Sequence, residues 1–280
     1  MNKIITLLLL VVCATSYAQE SEKQTTTSNK GKMFIFWGWN TANYSKSDIS
    51  FKGDDYEFTL YDVEARDKIT PYSFRNYFNP SRITIPQTNF RVGYFFKENY
   101  NVSIGVDHMK YVMKNYQTVK IDGEINAETP FDGVYNQEDI TLAHSFLTFE
   151  HTDGLNYINV EVNRFDSLNK LLKIYIDEIE LNLTEGLGVG FLYPKTNATL
   201  FGGDRYDDFN VAGYGMSAKI GLNLTLFKYF FLQSDFKFGY INMDDIRTTS
   251  SKSDSASQHF TFFEKAVVFG VRFQLNKTEN

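Results

Sequence analysis

The sequence is poor in cysteine, in histidine and in long apolar runs. One cysteine in 280 residues excludes a disulfide framework and a cysteine-based zinc site. Acidic residues outnumber basic ones by 34 to 28, and the net charge of −6 argues against nucleic acid as a partner. No apolar run is long enough for a helix that crosses a bilayer, which needs about 20 residues. Aromatic residues, in contrast, make up 16% of the chain, which excludes a disordered protein.

The N-terminus has the three-part layout of a secretory signal peptide, which we predict to end at residue 18. Residues 1–3 form a short basic start, residues 4–12 are apolar, and residues 16–18 (Ser-Tyr-Ala) give a small-x-small cleavage site. A buried N-terminal strand is an alternative interpretation. A lipoprotein would use Cys13, but a valine precedes it where the processing site needs a small residue.

The rest of the chain is predicted to form one domain. Residues 19–31 contain no apolar side chain, so we predict a flexible periplasmic leader. No second linker and no repeat of solenoid type interrupts residues 32–275, which we take as one folded domain. Residues 276–280 form a short C-terminal tail.

Apolar residues of this domain alternate with polar or small residues at a period of two, which is the period of a β-strand. Residues 214–226 show it most clearly, because each even-numbered residue is apolar and each odd-numbered one is small or polar. We predict about ten strands, with a range of eight to twelve, at residues 32–44, 83–96, 100–114, 141–150, 155–164, 172–183, 186–196, 210–226, 230–245 and 260–275. Tyr56, Phe58 and Leu60 suggest a further strand inside the first long loop.

Alternation alone leaves open which face of a barrel is the inner one. A lipocalin-like soluble barrel or a secreted β-sandwich would bury the apolar face, whereas a membrane barrel turns it outward. We favour the membrane barrel, because charges on the opposite face suit a hydrated lumen and aromatic residues lie beside tight turns, as at a lipid–water boundary. The predicted lumen network consists of Arg91, Lys219, Asp235, Lys237 and Arg272. The predicted lipid-interface residues are Phe96, Tyr100, Tyr229 and Phe230.

The predicted connections alternate between short and long. Tight connections are predicted at residues 97–99, 151–154, 184–185 and 227–229. Long polar ones are predicted at residues 44–82, 115–140, 197–209 and 246–259, with 165–171 as a shorter member of the same set. Membrane barrels have short periplasmic turns and longer extracellular loops, so both chain ends should be periplasmic. The bore of a ten-stranded barrel is narrow, so we expect side chains to fill it.

The signal peptide, the alternating strands and the ending Val-Phe-Gly-Val-Arg-Phe-Gln-Leu at residues 268–275 resemble Gram-negative outer-membrane β-barrel proteins. The resemblance implies an all-β, antiparallel, up-and-down transmembrane β-barrel in the outer membrane, in contact with its lipids and lipopolysaccharide. In that family the last strand usually ends in an aromatic residue that the barrel-assembly machinery reads. Phe273 is the nearest match here, and residues 276–280 extend past it. The resemblance implies no particular activity.

His151 is the catalytic candidate among the four histidines. Residues 150–154 (Glu-His-Thr-Asp-Gly) are loosely similar to the His-x-Ser-Asn-Gly segment of outer-membrane phospholipases, in which histidine activates a serine nucleophile. Here the serine is missing, since Thr152 and Asp153 stand in its place. A hairpin turn is the competing interpretation, which we favour. No acidic cluster has the spacing of a known metal loop and no nucleotide motif opens a helix, so we expect no metal and no cofactor.

Three functions remain open. We favour a non-enzymatic outer-membrane barrel whose surface-exposed loops contact partners. A narrow, porin-like channel or transport accessory is the second. A lipid-modifying enzyme, similar to a phospholipase or a lipid A deacylase and using His151, is the third. His108 and Lys110 are predicted near the outer boundary of the membrane, where Lys110 could meet lipopolysaccharide phosphates. A solvated strand end explains this position equally well.

Overall fold

The structure is a computed structural model that describes residues 28–82 and 85–274. The predicted signal peptide, the leader up to residue 27 and the tail at 276–280 lie outside the described residues. The strands are β1 (Lys32–Tyr44), β2 (Ser47–Lys52), β3 (Tyr56–Val63), β4 (Ala65–Arg66), β5 (Thr88–Lys97), β6 (Tyr100–Met113), β7 (Thr118–Ile125), β8 (Gly133–Thr141), β9 (Leu147–Ser167), β10 (Ile179–Leu192), β11 (Asn197–Leu200), β12 (Gly213–Leu226), β13 (Phe230–Arg247) and β14 (Ser255–Gln274). Two short helices, α1 (Phe74–Tyr77) and α2 (Asn169–Leu172), and a 3₁₀ turn at Pro80–Arg82 lie in connections. None of the helices that the structure describes has the length and apolar character required to cross a membrane.

Eight of the described strands close into a barrel. In the order β1-β5-β6-β9-β10-β12-β13-β14 each strand pairs antiparallel with the next, and β14 pairs back onto β1 from the Lys32–Gln274 pair to the Tyr44–Phe262 pair. A closed circuit leaves the barrel itself without a free strand edge. The predicted fold class, an all-β antiparallel up-and-down barrel, is confirmed, and the described strands place its size at the lower end of the predicted range.

The strand number falls below ten because two predicted turns lie inside strands. The hairpin turn predicted at 151–154 is part of β9, and the one predicted at 184–185 is part of β10. Gly154, with a φ of 138°, lies where the register between β6 and β9 shifts, so the turn-forming residues make a local irregularity instead of a reversal. Thr184 is buried in the bore. Residues that line the bore and residues that form turns are both small or polar. The alternation of side chains along the sequence therefore did not distinguish a strand from a turn at these positions.

Because β9 and β10 are longer than predicted, the connection between them lies at the end of the barrel opposite to the predicted one. Residues 168–178 join β9 to β10 on the same rim as the turns at 98–99 and 227–229, and they share a cavity there with Lys32. The prediction that 165–171 belongs with the long loops was therefore wrong. We call this rim the turn rim. The opposite loop rim carries the long connections, which contain β2, β3, β4, β7, β8 and β11.

On the loop rim the sheet continues past the barrel. The first residues of β14 pair with β2, and β3, β7 and β8 follow in order. We call β2, β3, β7 and β8 the projecting sheet. β3 contains Tyr56, Phe58 and Leu60, so the further strand predicted in the first long loop is confirmed. The two-residue β4 pairs with β6, and β11 pairs with β9.

Side chains of the barrel strands alternate between a mostly apolar outer surface and a buried bore. The exposed outward residues include Ile104, Val160, Leu187, Val189, Met216, Ile220, Leu222, Phe236, Phe238 and Val267. Leu187, for example, is 70% exposed, whereas Glu161 in the bore is 1% exposed. A soluble barrel would have the reverse arrangement, so the faces are disposed as predicted for a membrane barrel.

The bore is filled in three layers. Next to the turn rim, five phenylalanine rings pack with two small apolar side chains: Phe34, Phe36, Phe95, Phe165, Phe231, Ala266 and Val268. Buried charged and amide side chains fill the middle. Toward the loop rim, an apolar core that includes Tyr111, Phe149 and Phe260 fills the bore and continues beneath the projecting sheet through Phe51 and Phe58.

Candidate functional site

The middle layer is a network of buried ionisable side chains drawn from six strands. Its members are Arg91 on β5, Asp107 on β6, Glu161 on β9, Lys219 on β12, Asp235 and Lys237 on β13, and Glu264 on β14. Each lies at an inward position of its strand, and strand pairing brings them to one level of the bore. The network therefore connects strands around most of the barrel.

Glu161 is the hub of this network. Its Oε1 lies 3.0 Å from a guanidinium nitrogen of Arg91 and 2.9 Å from the ammonium of Lys237. Its Oε2 lies 2.8 Å from the ammonium of Lys219. One carboxylate thus contacts three cations from three strands. Such contacts are needed because a buried charge without a partner is strongly destabilising.

Asp107 is a second carboxylate of this network that contacts more than one cation. Its Oδ1 lies 3.4 Å from an Arg91 guanidinium nitrogen, and its Oδ2 contacts the ammonium of Lys237. The Asn89 amide donates to Asp107 at 2.8 Å and to Glu264 at 2.9 Å. Three cations and four carboxyl groups are thereby held together in the described bore.

The layers leave little space for a solute. Between the charged layer and the phenylalanine layer there is a cavity of about 10 Å³, which is room for about one water molecule. A pore needs a continuous aqueous path, which these packed layers interrupt. The arrangement therefore cross-links and seals the barrel.

Four of the five predicted lumen residues, Arg91, Lys219, Asp235 and Lys237, lie in the charged network. Arg272 also faces the bore, but it lies in the phenylalanine layer. Its guanidinium is 5.0 Å from the centre of the Phe95 ring and donates to Asn29 Oδ1 at 2.8 Å. The structure therefore separates Arg272 from the other four.

Sequence reasoning missed the hub of the network. Glu161 lies between Val160 and Val162 inside a predicted strand, so its inward position could have been inferred from the alternation. Its three cationic partners come from strands far away in the sequence, and no local pattern indicates which of them it meets.

The four predicted interface residues, Phe96, Tyr100, Tyr229 and Phe230, all lie exposed near the turn rim. The rings of Phe96 and Tyr100 are 6.4 Å apart across the β5–β6 turn. These amphipathic and apolar rings border the apolar outer surface, as aromatic girdles of membrane barrels do.

His151 is sealed inside the core at the loop end. Its ring is fully buried, its Nδ1 lies 2.9 Å from the hydroxyl of Thr196, and the rings of Tyr111 and Phe149 flank it. Thr196 is fully buried as well. A substrate cannot reach this His–Thr pair without opening the core, so the geometry gives no support to catalysis by His151.

Lys110 is buried rather than placed at a headgroup surface. Its ammonium donates to the backbone carbonyl of Ile85, and the neighbouring His108 has its Nδ1 2.7 Å from Asn156 Oδ1. The interpretation of Lys110 as a lipopolysaccharide contact was therefore wrong, because the segment before β5 covers it. Within residues 28–82 and 85–274, no group of three or more histidine, cysteine, aspartate or glutamate side chains could hold a metal ion.

β8 forms the free edge of the projecting sheet. It pairs with β7 from the Thr118–Thr141 pair to the Ile125–Gly133 pair, and no other described strand pairs with its second edge. Most of its side chains are exposed, with Val134 at 74%. An unpaired edge presents backbone N–H and C=O groups to which another extended chain can bind.

Together, these features define a closed antiparallel β-barrel with an apolar exterior, a sealed bore and a sheet that projects from one rim. No family model and no curated protein matches the chain. Similar solved structures include the outer membrane protein OprG from Pseudomonas aeruginosa, at 11% identity over 88% of this chain and 98% of that chain, with a TM-score of 0.42. Ail, the attachment invasion locus protein of Yersinia pestis, has 12% identity over 87% of this chain and 99% of that chain, with a TM-score of 0.34. Neisserial surface protein A has 9% identity over 87% and 100%, with a TM-score of 0.35. These are Gram-negative outer-membrane β-barrel proteins, and likeness at this level identifies no function for the chain.

Proposed function

We propose that the chain is an integral outer-membrane protein whose projecting sheet binds partner proteins outside the cell, without enzymatic activity. The exterior supports the membrane location, because the outward side chains of the barrel strands are mostly apolar, with Glu185 and Lys265 among the exceptions, and the charged network is buried in the bore. The turn rim then faces the periplasm and the loop rim faces outward. Outer-membrane phospholipids and lipopolysaccharide would contact the apolar exterior. The same proposal includes export by the signal peptide and insertion by the barrel-assembly machinery. Phe273, which faces outward near the end of β14, is the aromatic residue that this machinery would read.

The observation that carries the binding function is the free edge of β8, in a sheet that is paired with the barrel. The filled bore offers no route for solutes, and the buried His151 offers no access for lipid. The exposed projecting sheet is held on the barrel through β14 and packs on the core at the loop end. The class of partner that fits such an edge is a protein with an extended segment, added as a further strand.

The filled bore predicts that the purified protein, reconstituted in liposomes, gives no flux of small solutes above that of protein-free liposomes. The physical reason is that two packed layers and an ion network close the path. A porin reconstituted in the same lipid provides the positive control. Solute flux through the wild-type protein would instead favour the narrow-channel hypothesis.

Strand addition predicts that β8 binds an extended peptide through backbone hydrogen bonds. A synthetic peptide with the sequence of residues 118–125 is the probe, because this sequence already pairs with β8. Tyr135→Pro and Asn136→Pro each remove one N–H, and neighbouring strand residues direct these groups to opposite edges. One of the two variants therefore loses the N–H that points to the free edge. We expect this variant to bind the probe about fivefold more weakly than the wild type, since one backbone hydrogen bond contributes about 1 kcal/mol.

Binding of the probe is measured by fluorescence anisotropy with the protein in detergent micelles. Tyr116→Ser, at an exposed residue outside β8, is the control and should bind like the wild type. If the protein does not prefer the probe to a scrambled peptide, or if both proline variants bind as well as the wild type, the proposed edge function is wrong.

A further inference from the structure

One segment of the chain leaves the sheet and packs on the outside of the barrel near the loop rim. We call residues 67–82, which follow β4, the aromatic segment. Its Tyr77 and Phe78 rings lie 5.6 and 5.2 Å from the ring of Trp39. Trp39 points outward from β1, and its ring is also 5.8 Å from that of Phe269, an exposed residue of the apolar surface on β14. The aromatic segment therefore continues the apolar exterior at its outer border.

Hydrogen bonds hold the aromatic segment in place. The Asp67 carboxylate accepts from the backbone N–H of Ala42 on β1 at 2.9 Å. The Tyr77 hydroxyl donates to the Thr70 carbonyl at 2.7 Å. At the start of helix α1, the Ser73 hydroxyl accepts from a backbone N–H of the first turn. The exposed rings are thus presented in a defined arrangement.

The aromatic segment nevertheless has little core of its own. Helix α1 has no buried residue. Tyr72 and Phe74 are 75% and 74% exposed, and Ile69 is exposed as well. The Phe74 and Phe78 rings stack at 4.8 Å, which forms a contiguous apolar surface. Large exposed apolar patches mark surfaces that contact another apolar phase.

The charges of the aromatic segment favour a lipid surface. It contains Lys68, Arg75 and Arg82 against the single carboxylate of Asp67, and the Lys68 ammonium also lies 3.6 Å from the Glu150 carboxylate of β9. Burial raises the pKa of Asp67, and backbone N–H groups already occupy its oxygens. Apolar rings combined with excess positive charge are typical of segments that lie at the interface of a membrane with anionic headgroups.

We propose that the aromatic segment is seated in the outer leaflet, with Tyr72 and Phe74 at the boundary between lipid headgroups and acyl chains. The inference rests on the proposed membrane location of the barrel. Interfacial apolar faces of this kind sink about 5–10 Å into that boundary. The seated segment fixes the height of the loop rim above the membrane.

The test places a single environment-sensitive fluorophore at three positions in a Cys13→Ser background, which contains no other cysteine. Phe74→Cys reports on the aromatic segment. Leu187→Cys lies on the apolar exterior of β10, and Tyr116→Cys, at an exposed residue, lies between β6 and β7 on the loop rim. Each labelled protein is reconstituted in vesicles of phosphatidylcholine and anionic phosphatidylglycerol that contain doxyl-labelled lipid, with the quencher near the headgroup or deep in the acyl chain. Aqueous iodide gives the complementary measurement.

We expect the label at position 74 to be quenched more by the shallow doxyl lipid than by the deep one and to be shielded from iodide. The label at position 187 should be quenched more by the deep lipid, and the label at 116 by iodide alone. Iodide quenching at 74 without lipid quenching, combined with lipid quenching at 187, would overturn the inference and leave the membrane barrel intact. Absence of lipid quenching at 187 would overturn the membrane location itself. Tyr72→Cys repeats the measurement if the label at 74 disturbs folding, and it carries the same expectations.

Discussion

Replacing Glu161 by glutamine is expected to lower the free energy of unfolding by about 3–5 kcal/mol, the typical result of breaking a buried ion pair from one side. The substitution keeps the volume of the side chain and removes its charge. The bore then contains one carboxylate fewer to balance the buried charges of Arg91, Lys219 and Lys237. Urea unfolding in phospholipid vesicles, followed by tryptophan fluorescence and by the migration of unboiled protein on gels, measures the change.

A surface pair serves as the matched control. Glu57 lies 3.5 Å from Lys52 on the projecting sheet, and both side chains are largely exposed. Glu57→Gln removes the same charge where water screens it, so stability should stay nearly unchanged. Equal effects of Glu161→Gln and Glu57→Gln would mean that the network contributes no more than an ordinary surface ion pair, which would contradict its role in holding the barrel together.

Leu187→Arg is expected to lower stability in lipid by about 2–4 kcal/mol, the cost of a lipid-facing cation near the bilayer midplane of a β-barrel. Leu187 pairs with Val162 and Ala218, well inside the outward apolar surface. Hydrocarbon cannot hydrate the guanidinium, so the folded state in the membrane is penalised. The same unfolding measurement in vesicles gives the change.

Val134→Arg provides the comparison. Val134 is as exposed as Leu187, but it lies on β8 of the projecting sheet, outside the barrel wall. An arginine there remains in water, and we expect no loss of stability. If Leu187→Arg were tolerated as well as Val134→Arg, the apolar exterior would not face hydrocarbon.

The alternation of side chains predicted more of the fold than of the site. A period of two follows from strand geometry, so residues 214–226 could be assigned to a strand and their apolar face identified. The same pattern failed at 151–154 and 184–185, where polar or small residues lie inside strands. A polar residue that faces a hydrated bore and one that forms a turn satisfy the same local preference. Only pairing with neighbouring strands separates the two.

By itself, the sequence determined the strand class of the structure and the division of its residues into an apolar and a charged face, because both follow from spacing along one strand. Four features are visible only in the tertiary structure. Eight described strands close the barrel, and Glu161 contacts three cations. His151 is buried in the core, and β8 has a free edge. Those features depend on the register between strands that are distant in the chain. Closure of the whole sheet sets that register, and no local pattern encodes it.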